Sequence, residues 1–237
     1  MKRHIPNTIT CCNLLCGCVA AYFALQPQPA YGLAFAFIVG GAVFDFFDGF
    51  TARLLGVSSP IGKELDSLAD DITFGFAPAA IVFALLRELA PHAGLSESVT
   101  AALPFAAFLI AAFSALRLAK FNLDERQTSS FVGLPTPANS LFWAALAYGA
   151  HDRITATPAM FWVLLGGVLL SSLLLVAEIP MFALKFKHFG WSGNALRYSF
   201  LLASLLLLIA FGWTAFAYIV VLYVLTSIVA NHSEHQA

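Results

Sequence analysis

The chain has 237 residues, 60% of them apolar, with only 12 Lys and Arg against 13 Asp and Glu, a charged share of 11% and a formal net charge of −1. A soluble domain carries about 25% charged residues and a disordered chain has low hydrophobicity, so both are excluded, and the net charge argues against electrostatic binding of nucleic acid. An integral membrane protein remains. A spanning helix needs about 20 mostly apolar residues, so about eight spans would consume most of the chain. That leaves a single membrane domain over residues 1–237 and no room for a second, soluble one.

Apolar stretches bounded by Pro, Gly and charge predict spans near 8–26, 31–55, 67–90, 98–119, 134–150, 157–178, 196–211 and 213–231. The fold class is therefore an all-α polytopic transmembrane bundle. Residues 196–231 are long for one span and just suffice for two that turn at Phe211-Gly212-Trp213, so six or seven spans is the alternative count. Heptads, tandem repeats and low-complexity tracts are not evident. Cys11, Cys12, Cys16 and Cys18 fall in the first span at spacings that suit neither zinc nor a disulfide framework, and read as small packing residues. Met1-Lys2-Arg3 before an apolar run has the start of a signal peptide, but Asn7, Thr8, Thr10 and Asn13 break the run and more membrane follows.

Positive charge on the connections predicts orientation, because loops rich in Lys and Arg stay on the cytoplasmic side. One side collects Lys2, Arg3, Arg53, Lys63, Arg117, Lys120, Arg126, Lys185, Lys187 and Arg197, and the other has only Arg87 and Arg153. Ten against two places both termini in the cytoplasm and favours an even number of spans.

The anomaly lies in the second and third spans, where Asp45, Asp48, Asp66, Asp70 and Asp71 stand at the ends of apolar helices. An Asp at the centre of a span costs about 2.5–3.5 kcal/mol on insertion scales, so such residues persist where they face a polar cavity or bind something. At 100° per residue, Asp45 and Asp48 lie about 60° apart on one helix face and Asp66 and Asp70 about 40° apart on another. A connection rich in turn formers (Gly56, Ser58, Ser59, Pro60, Gly62) lets the two helices run antiparallel and bring the pairs together. Four carboxylates in one cavity repel unless they share cations, and hard divalent ions with oxygen ligands answer that need. Gly49 and Ala52, one turn beyond Asp45 and Asp48, leave an open groove on the same face, with Arg53 placed to grip a phosphate. Asp71 is rotated about 100° from Asp70 and is expected to face away from the metals.

The run D-x-x-D-G-x-x-A-R, eight residues, then G-x-x-x-D-x-x-x-D resembles the signature of the CDP-alcohol phosphotransferase family, complete here as Asp45, Asp48, Gly49, Ala52, Arg53, Gly62, Asp66 and Asp70. Within that family the chain is most similar to the integral-membrane phosphatidylserine synthases of bacteria and archaea. The similarity is carried by Ile5-Pro6-Asn7 with Thr10 and Asn13, Gly62-Lys63-Glu64-Leu65-Asp66-Ser67-Leu68-Ala69-Asp70, Phe74-Gly75-Phe76-Ala77-Pro78-Ala79, Arg117-Leu118-Ala119-Lys120-Phe121-Asn122 and Gly133-Leu134-Pro135-Thr136-Pro137-Ala138. The last hundred residues resemble the subfamily only through Ile179-Pro180 and Lys185-Phe186-Lys187.

The resemblance implies that CDP-diacylglycerol binds across two divalent cations, Mg²⁺ or Mn²⁺, and that the hydroxyl of L-serine displaces CMP. It implies one ion on Asp45, Asp48 and Asp66, the second on Asp45, Asp66 and Asp70, and Asp70 as general base. Gly49, Ala52, Arg53, Ser59, Gly62, Asn7 and Thr10 are the expected donor site, and Arg117, Lys120 and Asn122 the nearest polar cluster for serine. A homodimer in the bacterial or archaeal cytoplasmic membrane, among membrane lipids and with the site facing the cytoplasm, completes the expectation. The rivals are a relative using glycerol phosphate or inositol phosphate, an archaetidylserine synthase and, in another class, a cation-coupled transporter.

Overall fold

A computed structural model describes residues 4–94, 96–123, 131–151, 157–182, 190–191 and 193–234. Lys2, Arg3, Arg126, Arg153, Lys185 and Lys187, half of the cations in the orientation count, lie outside the described residues.

The described residues are helical almost throughout. Helix α1 (His4–Ala24) and α2 (Tyr31–Leu55) form an antiparallel hairpin, shown by the proximity of Phe23 to Phe37 and of Asn13 to Gly41. Gly56, at φ 61°, closes α2 in the left-handed conformation that glycine adopts without strain. The chain then turns at once into α3 (Pro60–Asp70), whose N-terminus is capped by Ser59 Oγ accepting from the Gly62 amide, with Pro60 in the first helical position. The helix thus begins seven residues before the predicted span. Its first two turns are amphipathic rather than apolar, so a reading by hydropathy starts it late.

After Asp70 the helix widens into a π-helical stretch (Asp71–Phe76) and resumes as α4 (Ala77–Leu89), ending in a 3₁₀ turn (Ala90–His92). The span from Pro60 to His92 is the centre of the fold: 72% of its most apolar window is buried, against 17–39% in the other candidate spans. Around it stand α5 (Glu97–Ala102), a 3₁₀ segment (Leu103–Phe108) and α6 (Leu109–Leu123), then α7 (Thr136–Ala150) and α8 (Pro158–Val176). Short strands β1 (Phe131–Val132) and β2 (Pro180–Met181) pair antiparallel. They are all the sheet found among the described residues.

Helix α9 (Ala195–Phe211) and α10 (Ala215–Glu234) are joined by a 3₁₀ turn beginning at Gly212, whose φ of 57° breaks the helix. Contacts of Phe211 with Tyr218 and of Phe200 with Tyr223 show that they fold back on each other. By length and apolarity, six helical runs among the described residues are able to cross a membrane. The predicted count of eight differs in two places: α7 has only 15 residues, and the run from Ala195 to Asn231 is a single apolar stretch by composition.

Small residues let these helices approach closely, as expected where no hydrophobic gradient drives helix against helix. Ala20, Ala24, Ala34, Ala77, Ala80 and Ala84 line the buried seams, with Ile38, Ile81, Leu85 and Trp143 filling the core between them. A large share of the remaining apolar surface, including Leu205, Leu206, Ile209 and Val229, faces outward, as bilayer contact requires.

Candidate active site

The antiparallel crossing of α2 and α3 brings the predicted carboxylates together. One oxygen each of Asp45, Asp48 and Asp66 lies within 4.8 Å of the other two. Asp70 joins the group from the last turn of α3, beside Asp45. Asp48 is only 6% exposed and its Oδ2 has no hydrogen-bond partner, which is costly for a buried carboxylate unless a cation or donor is to meet it. The oxygen-only donor set suits Mg²⁺ or Mn²⁺, hard ions that take carboxylates and phosphate together. The residues present therefore fit a divalent metal site.

Beside the trio opens a cleft of about 260 Å³ whose walls include Asn7 and Thr10 from α1, Gly49 and Ala52 from α2, and Ser59 and Gly62 at the head of α3. All six were expected at the donor site, and Asp48 and Asp66 share the same walls. Gly49 presents open space: a Cβ there would meet nothing nearer than Arg53 Nη1, at 3.7 Å. Arg53 thus lies over Gly49 at the end of α2 without lining the cleft itself. Gly62 stands at a close approach, since a Cβ would lie 3.0 Å from Ser59 Oγ and 3.2 Å from Asn7 Oδ1. Ser59 has a local role as well, because its hydroxyl caps α3.

The three residues proposed for the acceptor separate. Arg117 is 8% exposed, faces Asp70, and leaves its Nε without a partner. Lys120 is exposed at the end of α6. Asn122 is bound to α3: its Nδ2 donates to Ser67 Oγ at 2.7 Å, and its carbonyl accepts from Lys63 Nζ at 3.0 Å. Asp71 Oδ1 and the Ser114 side chain of α6 both lie against Gly75, and Asp71 is not one of the clustered carboxylates.

Three residues of the site had no role assigned from sequence. Asn13 donates to Asp70 Oδ1 at 3.1 Å, Thr73 donates to the Asn13 carbonyl at 2.9 Å, and Tyr223 on α10 neighbours Arg117 while donating to the Phe182 carbonyl at 3.0 Å. Asn13 carried a signal, as a buried amide in an apolar helix. Tyr223 carried none, being one aromatic in a long apolar run.

Comparison with known proteins identifies the family. The family model described as CDP-alcohol phosphatidyltransferase matches residues 3–173. A CDP-diacylglycerol–serine O-phosphatidyltransferase of Bacillus subtilis is 32% identical over 187 residues, covering 79% of this chain and 92% of the relative. The enzyme of the same name from Mycobacterium leprae is 34% identical, covering 75% of this chain and 57% of the relative, and that from Saccharomyces cerevisiae is 35% identical over 61% and 54%. The family match and the names of these relatives set a transporter aside. The chain belongs to the CDP-alcohol phosphatidyltransferase family.

Proposed function

We propose that this chain transfers the phosphatidyl group of CDP-diacylglycerol to the hydroxyl of L-serine, giving phosphatidylserine and CMP. The observation that carries the reading is the trio of Asp45, Asp48 and Asp66 within 4.8 Å, two of which, Asp48 and Asp66, stand in the wall of a cleft that also holds Gly49, Ala52 and Gly62. Serine as acceptor is supported by the names of the relatives.

Asp45, Asp48 and Asp66 would hold one divalent cation, and Asp45, Asp66 and Asp70 a second, either Mg²⁺ or Mn²⁺. When bound, such ions polarise the diphosphate and neutralise charge on the departing nucleotide. The chain's own residues do the rest. Asn7, Thr10, Ser59 and Gly62 receive the nucleotide, Gly49 and Ala52 leave room for it, and Arg53 steadies a phosphate. Asp70 accepts the serine proton as the serine oxygen bonds to the lipid-side phosphorus. The anhydride P–O bond breaks and its electron pair leaves on CMP. Arg117, buried beside Asp70, pairs with the serine carboxylate, with Lys120 and Asn122 at the same end of α6.

The ten-to-two distribution of Lys and Arg supports both termini and the carboxylates on the cytoplasmic side of a bacterial or archaeal inner membrane. Eight crossings would count α9 and α10 separately, as their fold-back supports, and take the 15-residue α7 as a short crossing, and the family expectation of a homodimer is retained. The test is CMP release by purified protein given CDP-diacylglycerol, serine and Mg²⁺ or Mn²⁺, with Asp70→Asn as control. Release with glycerol phosphate or inositol phosphate and none with serine would move the assignment within the family.

A further inference from the structure

Asn13 is fully buried in the middle of α1, and its amide nitrogen reaches across to Asp70 Oδ1 at 3.1 Å. Its carbonyl has a second claim on it, from the Thr73 hydroxyl at 2.9 Å, and Thr73 is itself fully buried. A helical carbonyl has two lone pairs, so it can accept from Thr73 and still serve its own helix.

Thr73 sits where it does because two glycines make room. A Cβ on Gly17 would stand 2.5 Å from Thr73 Oγ1, and one on Gly41 2.5 Å from Thr73 Cγ2 and 3.0 Å from Asn13 Oδ1. Thr73 is therefore a knob set between α1 and α2, carried on the π-helical stretch that starts immediately after Asp70. Insertions of this kind recur at functional sites because they re-aim side chains within a helix. Here α1 is clamped at two points, through Asn13 and Thr73, to the few residues that present Asp70. The Asp70 carboxylate also faces Asp45 and Asp66, with the Arg117 guanidinium nearby, and the Asn13 amide supplies a direct hydrogen-bond donor among those like charges.

We propose that Asn13 is a positioning residue for Asp70. Its amide pins one carboxylate oxygen so that the other is left to the cation site and the acceptor hydroxyl, and Thr73 sets the height on α1 at which that amide stands. The proposal rests on the reading of Asp70 as general base. A carboxylate free to rotate about its Cβ–Cγ bond must be ordered at each attack, whereas a pinned one is ordered in advance.

Three near-isosteric changes separate this role from a packing role. Asn13→Leu keeps the branched shape and removes the donor. Thr73→Val keeps the shape and removes the hydroxyl. Thr73→Ser keeps the hydroxyl and removes the methyl that fills the Gly41 notch. With CDP-diacylglycerol, serine and Mg²⁺, kcat of Asn13→Leu is expected to fall about 10- to 100-fold, with both KM values within about threefold of wild type. Thr73→Val should lower kcat in the same direction. Thr73→Ser should retain kcat while its thermal midpoint drops. A wild-type kcat in Asn13→Leu, or a kcat that merely follows the thermal midpoint across the three, overturns the proposal. Asp70→Asn distinguishes the two levels: an active Asp70→Asn overturns the base assignment, whereas an inactive one beside a fully active Asn13→Leu overturns only the role of Asn13.

Discussion

The side-chain amide of Asn122, at the end of α6, donates to the hydroxyl of Ser67 at 2.7 Å, and Ser67 directly follows Asp66 on α3. Lys63 Nζ, one turn earlier, reaches the Asn122 carbonyl at 3.0 Å. The end of α6 is thereby fastened to the helix that carries half of the carboxylate cluster. Asn122→Ala should lower stability by about 1 kcal/mol, the usual net worth of one such hydrogen bond. Thermal unfolding in detergent would read this as a lower midpoint, and an unchanged midpoint would show that the tie is not maintained.

Arg117 and Lys120 should separate kinetically. Arg117 is buried beside Asp70 and Lys120 is exposed, so Arg117→Gln should raise the serine KM about tenfold or more and Lys120→Gln much less. The donor KM should move little in either variant. Initial-rate measurements varying serine and CDP-diacylglycerol separately provide the comparison, and equal effects on both substrates would remove Arg117 from the acceptor site.

Two glycines on the same helix should respond differently to a methyl group. Gly41→Ala drives a Cβ to 2.5 Å from Thr73 Cγ2, an overpacking that costs about 1–3 kcal/mol, and should lower the thermal midpoint. Gly49→Ala meets only Arg53 Nη1 at 3.7 Å and should fold normally, with its effect confined to a raised KM for CDP-diacylglycerol. A destabilised Gly49→Ala with an unchanged donor KM would contradict the open groove.

Chelation should abolish CMP release, and Mg²⁺ or Mn²⁺ should restore it. Asp48→Asn and Asp66→Asn remove a charge from the clustered carboxylates, so each should shift the metal concentration for half-maximal activity upward by about tenfold or more. Metal binding followed by calorimetry without substrate gives a second readout. Full activity after exhaustive chelation would dismiss the metal reading.

Much of the site was legible because helical periodicity is strict. Residues three and four apart share a face, so Asp45 with Asp48 and Asp66 with Asp70 had to form pairs once both segments were helical. The short connection, with its left-handed Gly56 and its Ser59 cap, then left the pairs facing each other. The beginning of α3 was not legible by hydropathy, since its first turns face the cleft and carry Lys63 and Glu64. Asn122 read as a candidate ligand because it is polar and close in sequence to Arg117. Only packing shows that its amide is engaged by α3.

What the sequence determined alone is the membrane character of the chain, the family through its aspartate motif, and the pairing of Asp45 with Asp48 and of Asp66 with Asp70, because composition, motif spacing and periodicity are local properties that need no partner. What the tertiary structure decided is how distant helices divide the work around that cluster. Asn13 meets Asp70 across 57 residues of chain, and Thr73 settles between Gly17 and Gly41. Such contacts depend on where a π-helical turn re-aims side chains and on which small residues let helices close, and neither is encoded in spacing along one helix.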